Sequence, residues 1–212
     1  ADLLVHQGRV WLLSAEDRRE VWPSRLLVPG EAPAFVSELV QRLPDSPTEG
    51  TALAALDDKT ILFCEDRIYY LSGDGPDDTG QTGRFTGPYL VTAQQGCIDA
   101  RSVVQTPEGV FFLSSSGISK LDRSLTVADV GEPVKTTVDA YGTCLASYHD
   151  PARSRASWLM ATVDDDTIIL IYDYLHGLWS LVSTEATNRL RAMTLWQGRT
   201  VVGFSNSFEG ET

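Results

Sequence analysis

A chain of 212 residues with 42% apolar and 22% charged residues is long enough to bury a core and too apolar to remain disordered. Lys and Arg total 17 against 29 Asp and Glu, and the net charge of −12 disfavours binding to phosphate backbones or anionic lipid. The longest apolar runs, Val110-Phe111-Phe112-Leu113 and Thr167-Ile168-Ile169-Leu170-Ile171-Tyr172, fall far short of the ~20 residues of a membrane helix.

The chain opens Ala1-Asp2-Leu3-Leu4-Val5, without the basic region and cleavage pattern of an export signal, so none is expected. From there, short runs rich in β-branched and aromatic residues alternate with Gly, Asp, Pro and Ser, the pattern of strands and turns. In chain order they are Val10–Leu13, Thr60–Cys64, Ile68–Leu71, Val110–Leu113, Trp158–Ala161 and Thr167–Ile171. A sustained helical stripe is missing. The best helix candidate is Ala34–Leu43, stopped by Pro44, and the fold class expected is all-β.

The tight turns between strands recur. They centre on Gly8, Asp58, Gly109, Ala152 and Gly198, at intervals of 50, 51, 43 and 46 residues, and Gln7-Gly8-Arg9 returns as Gln197-Gly198-Arg199. A period of roughly 40–50 residues with about four strands per unit is that of β-propeller blades. In the unit around Ala152 the three further strands are expected at Ser157–Val163, Thr167–Tyr172 and Leu178–Ser183. An antiparallel β-sandwich would also explain the strands, though not the repeat.

Residues 1–212 therefore read as one propeller domain or a propeller segment. The count of units has the chain starting inside a blade and stopping before a fifth unit has its outer strands. Part of a longer chain, or strands contributed from outside it, is expected. Residues 31–50, rich in Pro, Glu and Ser, are expected to form a loop and short-helix contact arm, with Ala34–Leu43 as its packing element.

Motifs of catalysis fail in turn. The sequence has no Gly-x-Ser-x-Gly elbow, no His-Glu-x-x-His and no phosphate-binding Gly-Lys-Ser/Thr loop. Gly73-Asp74-Gly75 is followed by Pro76-Asp77-Asp78 where a dinucleotide fingerprint needs a helix. His6, His149 and His176 lie far apart, at or near turns, and read as turn or surface residues rather than metal or general-base histidines. The acidic stretches Asp74–Gly80 and Asp164–Asp166 lack the register of a calcium loop and read as solvated turns. Cys64, Cys97 and Cys144, with no Cys-x-x-Cys pair, read as buried thiols. Trp11, Trp22, Trp158, Trp179 and Trp196, with Tyr69, Tyr70, Tyr172 and Tyr174, read as apolar filling between blades; a row of exposed aromatics would instead suggest sugar recognition. No catalytic, cofactor-binding or metal-ligating residue is nominated, no cofactor is expected and no enzyme activity is expected.

A set of turn and packing motifs carries a resemblance. It comprises His6-Gln7-Gly8-Arg9-Val10-Trp11 with Trp22-Pro23-Ser24, Leu71-Ser72-Gly73-Asp74-Gly75-Pro76, Gly96-Cys97, and Arg101–Val104 leading into Thr106–Ile118. Gly131-Glu132-Pro133-Val134 and Tyr172-Asp173-Tyr174 with Trp179 continue it. Together these resemble the propeller-type structural tail proteins of tailed bacteriophages, such as those of the tail nozzle. The resemblance implies a structural virion protein in a homo-oligomeric ring, a hexamer for preference, with other tail subunits and adaptor proteins as partners. It implies a place in the virion tail, reached through the host cytoplasm during assembly, with genome DNA passing through at ejection unbound. A carbohydrate- or receptor-binding propeller is the other function class that fits.

Overall fold

A computed structural model describes residues 2–44, 48–77, 83–183 and 189–205. The first four strands, β1 (Asp2–His6), β2 (Arg9–Leu13), β3 (Glu20–Pro23) and β4 (Gln41–Arg42), form one sheet in the order β1-β2-β3-β4. The next is β5 (Gly50–Leu56), β6 (Lys59–Cys64), β7 (Ile68–Ser72) and β8 (Thr86–Thr92). The third holds β9 (Val104–Thr106), β10 (Gly109–Ser114), β11 (Gly117–Leu121) and β12 (Val127–Asp129). An α-helix, α1 (Lys135–Tyr141), leads to the fourth sheet of β13 (Thr143–Asp150), β14 (Arg155–Ala161), β15 (Thr167–Asp173) and β16 (Leu178–Ser183). Among the described residues a fifth sheet has two strands, β17 (Arg189–Trp196) and β18 (Arg199–Ser205).

Every pairing between these named strands is antiparallel and joins neighbours in sequence. The repeated turns fall where the spacing places them, in the first hairpin of each sheet. Gln7-Gly8 and Gln197-Gly198 adopt the same left-handed pair, with φ of 50° and 68° against 49° and 72°, the backbone of a two-residue hairpin turn that glycine accommodates without strain.

The sheets stack face to face in chain order, with the first strands of successive sheets side by side. Four apolar clusters fill the four seams. Leu4, Trp11 and Leu13 meet Leu53, Leu62 and Tyr69 between the first and second sheets. Ile61, Phe63 and Ile68 meet Val110, Phe112 and Leu121 between the second and third. Phe111, Leu113 and Ile118 meet Trp158, Met160 and Leu170 between the third and fourth, and Leu159 and Ile169 meet Leu190 and Met193 between the fourth and fifth. An interior sheet thus buries both faces, which a two-sheet sandwich never does, and the architecture is that of propeller blades. This is why β10 reads as an unbroken apolar run: Phe111 faces the fourth sheet and Phe112 the second.

The helix expected at Ala34–Leu43 does not form. Only Ser37–Leu39 makes a 3-10 turn, flanked by extended Val36 and followed by the short strand β4, whose Gln41 pairs with Val21. β-Branched Val36 and Val40 favour extended backbone, and β3 supplies the ladder hydrogen bonds that a lone helix would have to make for itself. Residues 31–50 therefore contain the fourth strand of the first sheet and, at Gly50, the start of the second. Exposed apolar side chains stand at Leu26, Leu27 and Val28, before this stretch, and at Phe35 within it. The start inside a blade, expected from the count of units, is corrected too: the first sheet already has all four strands.

Candidate interaction surfaces

The residues singled out for chemistry are dispersed. His6 ends β1 with a buried Nε2 that has no partner among the described residues, and burial lowers its pKa. His149 Nε2 lies 2.9 Å from the Tyr174 hydroxyl on the neighbouring stretch after β15. His176 Nδ1 lies 2.9 Å from Asp173 Oδ1 in the turn before β16. Among the described residues no group of three His, Cys, Asp or Glu side chains is placed to hold a metal ion. Part of the acidic stretch Asp74–Gly80 lies outside the described residues.

The other acidic turn, Asp164–Asp166, acts as a tie. Asp165 accepts from Arg191 Nη1 and Nη2 at 2.9 and 2.8 Å and from Arg189 Nη1 at 3.4 Å, joining the fourth and fifth sheets. The hydrogen bonds from Arg191 hold its carboxyl below the usual carboxylate range. The cysteines are free and buried, and burial raises the thiols of Cys64 and Cys97 to about 11 and that of Cys144 to about 12. Trp11, Trp158 and Trp179 lie in or against the seams, whereas Trp22 is half-buried and Trp196 is 66% exposed.

Arg9 is a functional-looking residue that the sequence does not flag. It is 1% exposed, because a connection from the second sheet closes over it. Its Nε donates to the Asp74 carbonyl at 3.1 Å, Nη1 to the Ser24 carbonyl at 2.8 Å and Nη2 to the Pro76 carbonyl. The guanidinium lies over the Phe85 ring, 5.4 Å from its centre, and Phe85 packs edge-on against Trp11 at 5.1 Å. The recurrence of Gln-Gly-Arg is the one sequence signal that could have marked it.

Two clefts open on the side of the first-hairpin turns. One, of about 310 Å³, lies between the fourth and fifth sheets and is lined by Tyr148, Asp150, Arg153, Arg155 and Thr200. There Arg153 donates to Asp150 at 2.8 Å and to the Gly198 carbonyl at 3.1 Å, and the Tyr148 and Thr200 hydroxyls bond at 2.5 Å. The other, of about 340 Å³, lies between the second and third sheets beside Asp57, Gln105, Arg123 and His149.

Exposed apolar side chains lie on the outward faces of the first and the last described sheets. The outward face of the first sheet presents Leu3 and Val5 at 60% and 62% exposure, and the last described sheet presents Trp196 and Val201. Among the described residues no helix is long and apolar enough to cross a membrane.

No protein-family model matches the chain, and no curated protein sequence matches it. Among solved structures it is similar to the extracellular domain of the BT4673 one component system from B. thetaiotaomicron, with a TM-score of 0.54 and 11% identity over 96% of this chain. The match spans 25% of that protein's chain. A further structure, of the extracellular domain of the BT4673 hybrid two component system, matches with a TM-score of 0.48 and 13% identity, covering 95% of this chain and 30% of that one. At such low identity the first likeness establishes the fold, an all-β array of four-stranded antiparallel sheets.

Proposed function

We propose that this chain is a structural, non-enzymatic part of a phage virion tail, building a nozzle or tail-tip ring that lines or closes the DNA exit channel. One observation carries the reading: the outward faces of the first and the last described sheets are apolar, with Leu3 and Val5 on one and Trp196 and Val201 on the other. Apolar faces of this kind are surfaces on which a further sheet can pack. The turn and packing motifs quoted above add the resemblance to tail proteins. The net charge of −12, multiplied around a ring, would let DNA slide by without sticking. Its partners on this reading are copies of itself in a hexameric ring, neighbouring tail and adaptor subunits, and passing genome DNA.

The test is protein mass spectrometry of purified particles, followed by cryo-electron microscopy of the tail. The protein should be found in the particle at ring stoichiometry. Absence from particles overturns the proposal. The 310 Å³ cleft with its hydroxyl and guanidinium lining favours a second reading, a carbohydrate- or receptor-binding module, which a glycan array would reveal as saturable binding.

A further inference from the structure

We infer that His6 is a proton-operated latch on the seam between the first and second sheets, closed while its ring is neutral and loosened when the ring takes a proton. The latch stands apart from the tail reading and follows from where the ring sits. Side chains alternate along a strand, so His6 shares a face of β1 with Leu4, which packs against the second sheet. Across the hairpin it stands directly opposite Arg9, whose guanidinium is covered by the Asp74–Pro76 connection. Nε2 of His6 is buried and has no hydrogen-bond partner among the described residues.

A neutral imidazole is at ease in that position, because it carries one proton and can keep it on Nδ1, leaving no hydrogen to place at Nε2. An imidazolium is not: both nitrogens are then donors, and a charged N–H stands buried without an acceptor. The charged groups around the ring offer little compensation. Arg9 is a second cation on the same face, and like charges directly opposite each other in a ladder repel. Asp58, in the facing turn of the second sheet, favours the charged ring, but its carboxylate is 70% exposed and bonded to Lys59 Nζ at 2.5 Å. Asp74 and Asp77 belong to the connection that covers Arg9, and Asp2, on the same face of β1, accepts from the Leu53 amide at 2.7 Å. Burial outweighs Asp58 and holds the pKa of His6 below its ordinary 6.5.

The ring is wired to the contacts that join the two sheets. The His6 carbonyl accepts from Trp11 Nε1 at 3.2 Å, Trp11 packs edge-on against Phe85, and Phe85 lies under the Arg9 guanidinium. Gln7, next in the chain, donates from its side chain to the Asp58 carbonyl at 3.0 Å. A ring that turns outward to hydrate its charge therefore draws the end of β1 away from the second sheet. The stability that neutral His6 permits is complete above pH 6.5, the unfolded value, and is lost as the pH falls through the lowered folded value.

The test is a proton NMR titration of the three histidines in the purified chain, assigned by single substitution, together with hydrogen exchange at pH 7.5 and pH 5, each peptide compared with its own intrinsic rate. His6 should titrate below 6.5. Acidification should quicken exchange in residues 5–11 and 73–77 several-fold more than in β10. His6→Gln and His6→Leu, uncharged at both pH values, should abolish that difference. His149→Gln should keep it, which separates the latch from the other histidine whose pKa burial lowers. Circular dichroism confirms folding of every variant. A His6 that titrates at or above 6.5, an unmodified chain whose first seam does not respond to acid, or a response that survives in both His6 variants overturns the inference.

Discussion

Replacing Arg9 with Met tests whether one buried guanidinium fastens the first two sheets together. Methionine matches the length of the aliphatic stem but donates nothing, so the carbonyls of Ser24, Asp74 and Pro76 lose their guanidinium donor. The Ser24 carbonyl sits in a residue with no exposure, and a buried acceptor left unpaired costs about 1–3 kcal/mol. Loss of the cation over Phe85 adds about 0.5–2 kcal/mol. The other two carbonyls belong to a connection between strands that can turn toward water, so their loss appears as local opening. A global loss of about 1.5–5 kcal/mol is expected from urea unfolding, with a further loss of about 2 kcal/mol confined to residues 73–77 and 83–86. Hydrogen exchange of peptides from those residues should therefore quicken about 30-fold more than exchange of β10 or β14. Equal acceleration everywhere, or none, would refute the assignment of Arg9 as a clasp on this connection.

Two further outcomes follow from the buried and paired groups. With thiols raised to about 11, 11 and 12, Cys64, Cys97 and Cys144 should resist iodoacetamide at pH 8 in the folded protein and react completely in urea, read by intact mass; labelling of the folded chain would contradict their burial. Asp165 has a folded pKa below its ordinary 3.8, so its contribution is complete above that value and is lost as the pH falls through the lowered folded value. The urea midpoint of the unmodified protein should exceed that of Asp165→Asn near neutrality, and the gap should close as the pH falls below 3.8.

Strand positions are legible in this sequence because the stack buries interior sheets on both faces. Apolar side chains then run without alternation, as in Ile168-Ile169-Leu170, where Ile168 and Leu170 face the third sheet and Ile169 the fifth. The hairpins are legible because left-handed turns select residues such as the Gly of Gln7-Gly8. Helix α1 is not, since Lys-Thr-Thr-Val-Asp-Ala-Tyr carries no apolar stripe and buries only Val138. Ala34–Leu43 misleads for the opposite reason: Leu39 and Leu43 are buried four residues apart, as on a helix, but on a 3-10 turn and an extended segment beside β3. Arg9 is hidden from sequence reading because two of the groups it binds are main-chain carbonyls 65 and 67 residues away, and a carbonyl has no residue signature.

The seams divide their labour between two kinds of contact. Apolar clusters supply the driving force, but a face of Leu, Ile and Phe tolerates sliding, so something else must set the register between sheets. Side-chain to backbone hydrogen bonds across each seam do this. Asp2 accepts from the Leu53 amide at 2.7 Å, Gln105 from the Ala55 amide at 3.2 Å, and Ser147 donates to the Arg101 carbonyl at 2.7 Å. Between the last two sheets Thr167 accepts from the Leu190 amide at 3.3 Å. Each tie joins one particular amide or carbonyl to one side chain, so displacement by a residue leaves a polar group unpaired and costs about 1–3 kcal/mol where it is buried. Sheet order therefore rests on apolar area and sheet register on polar ties.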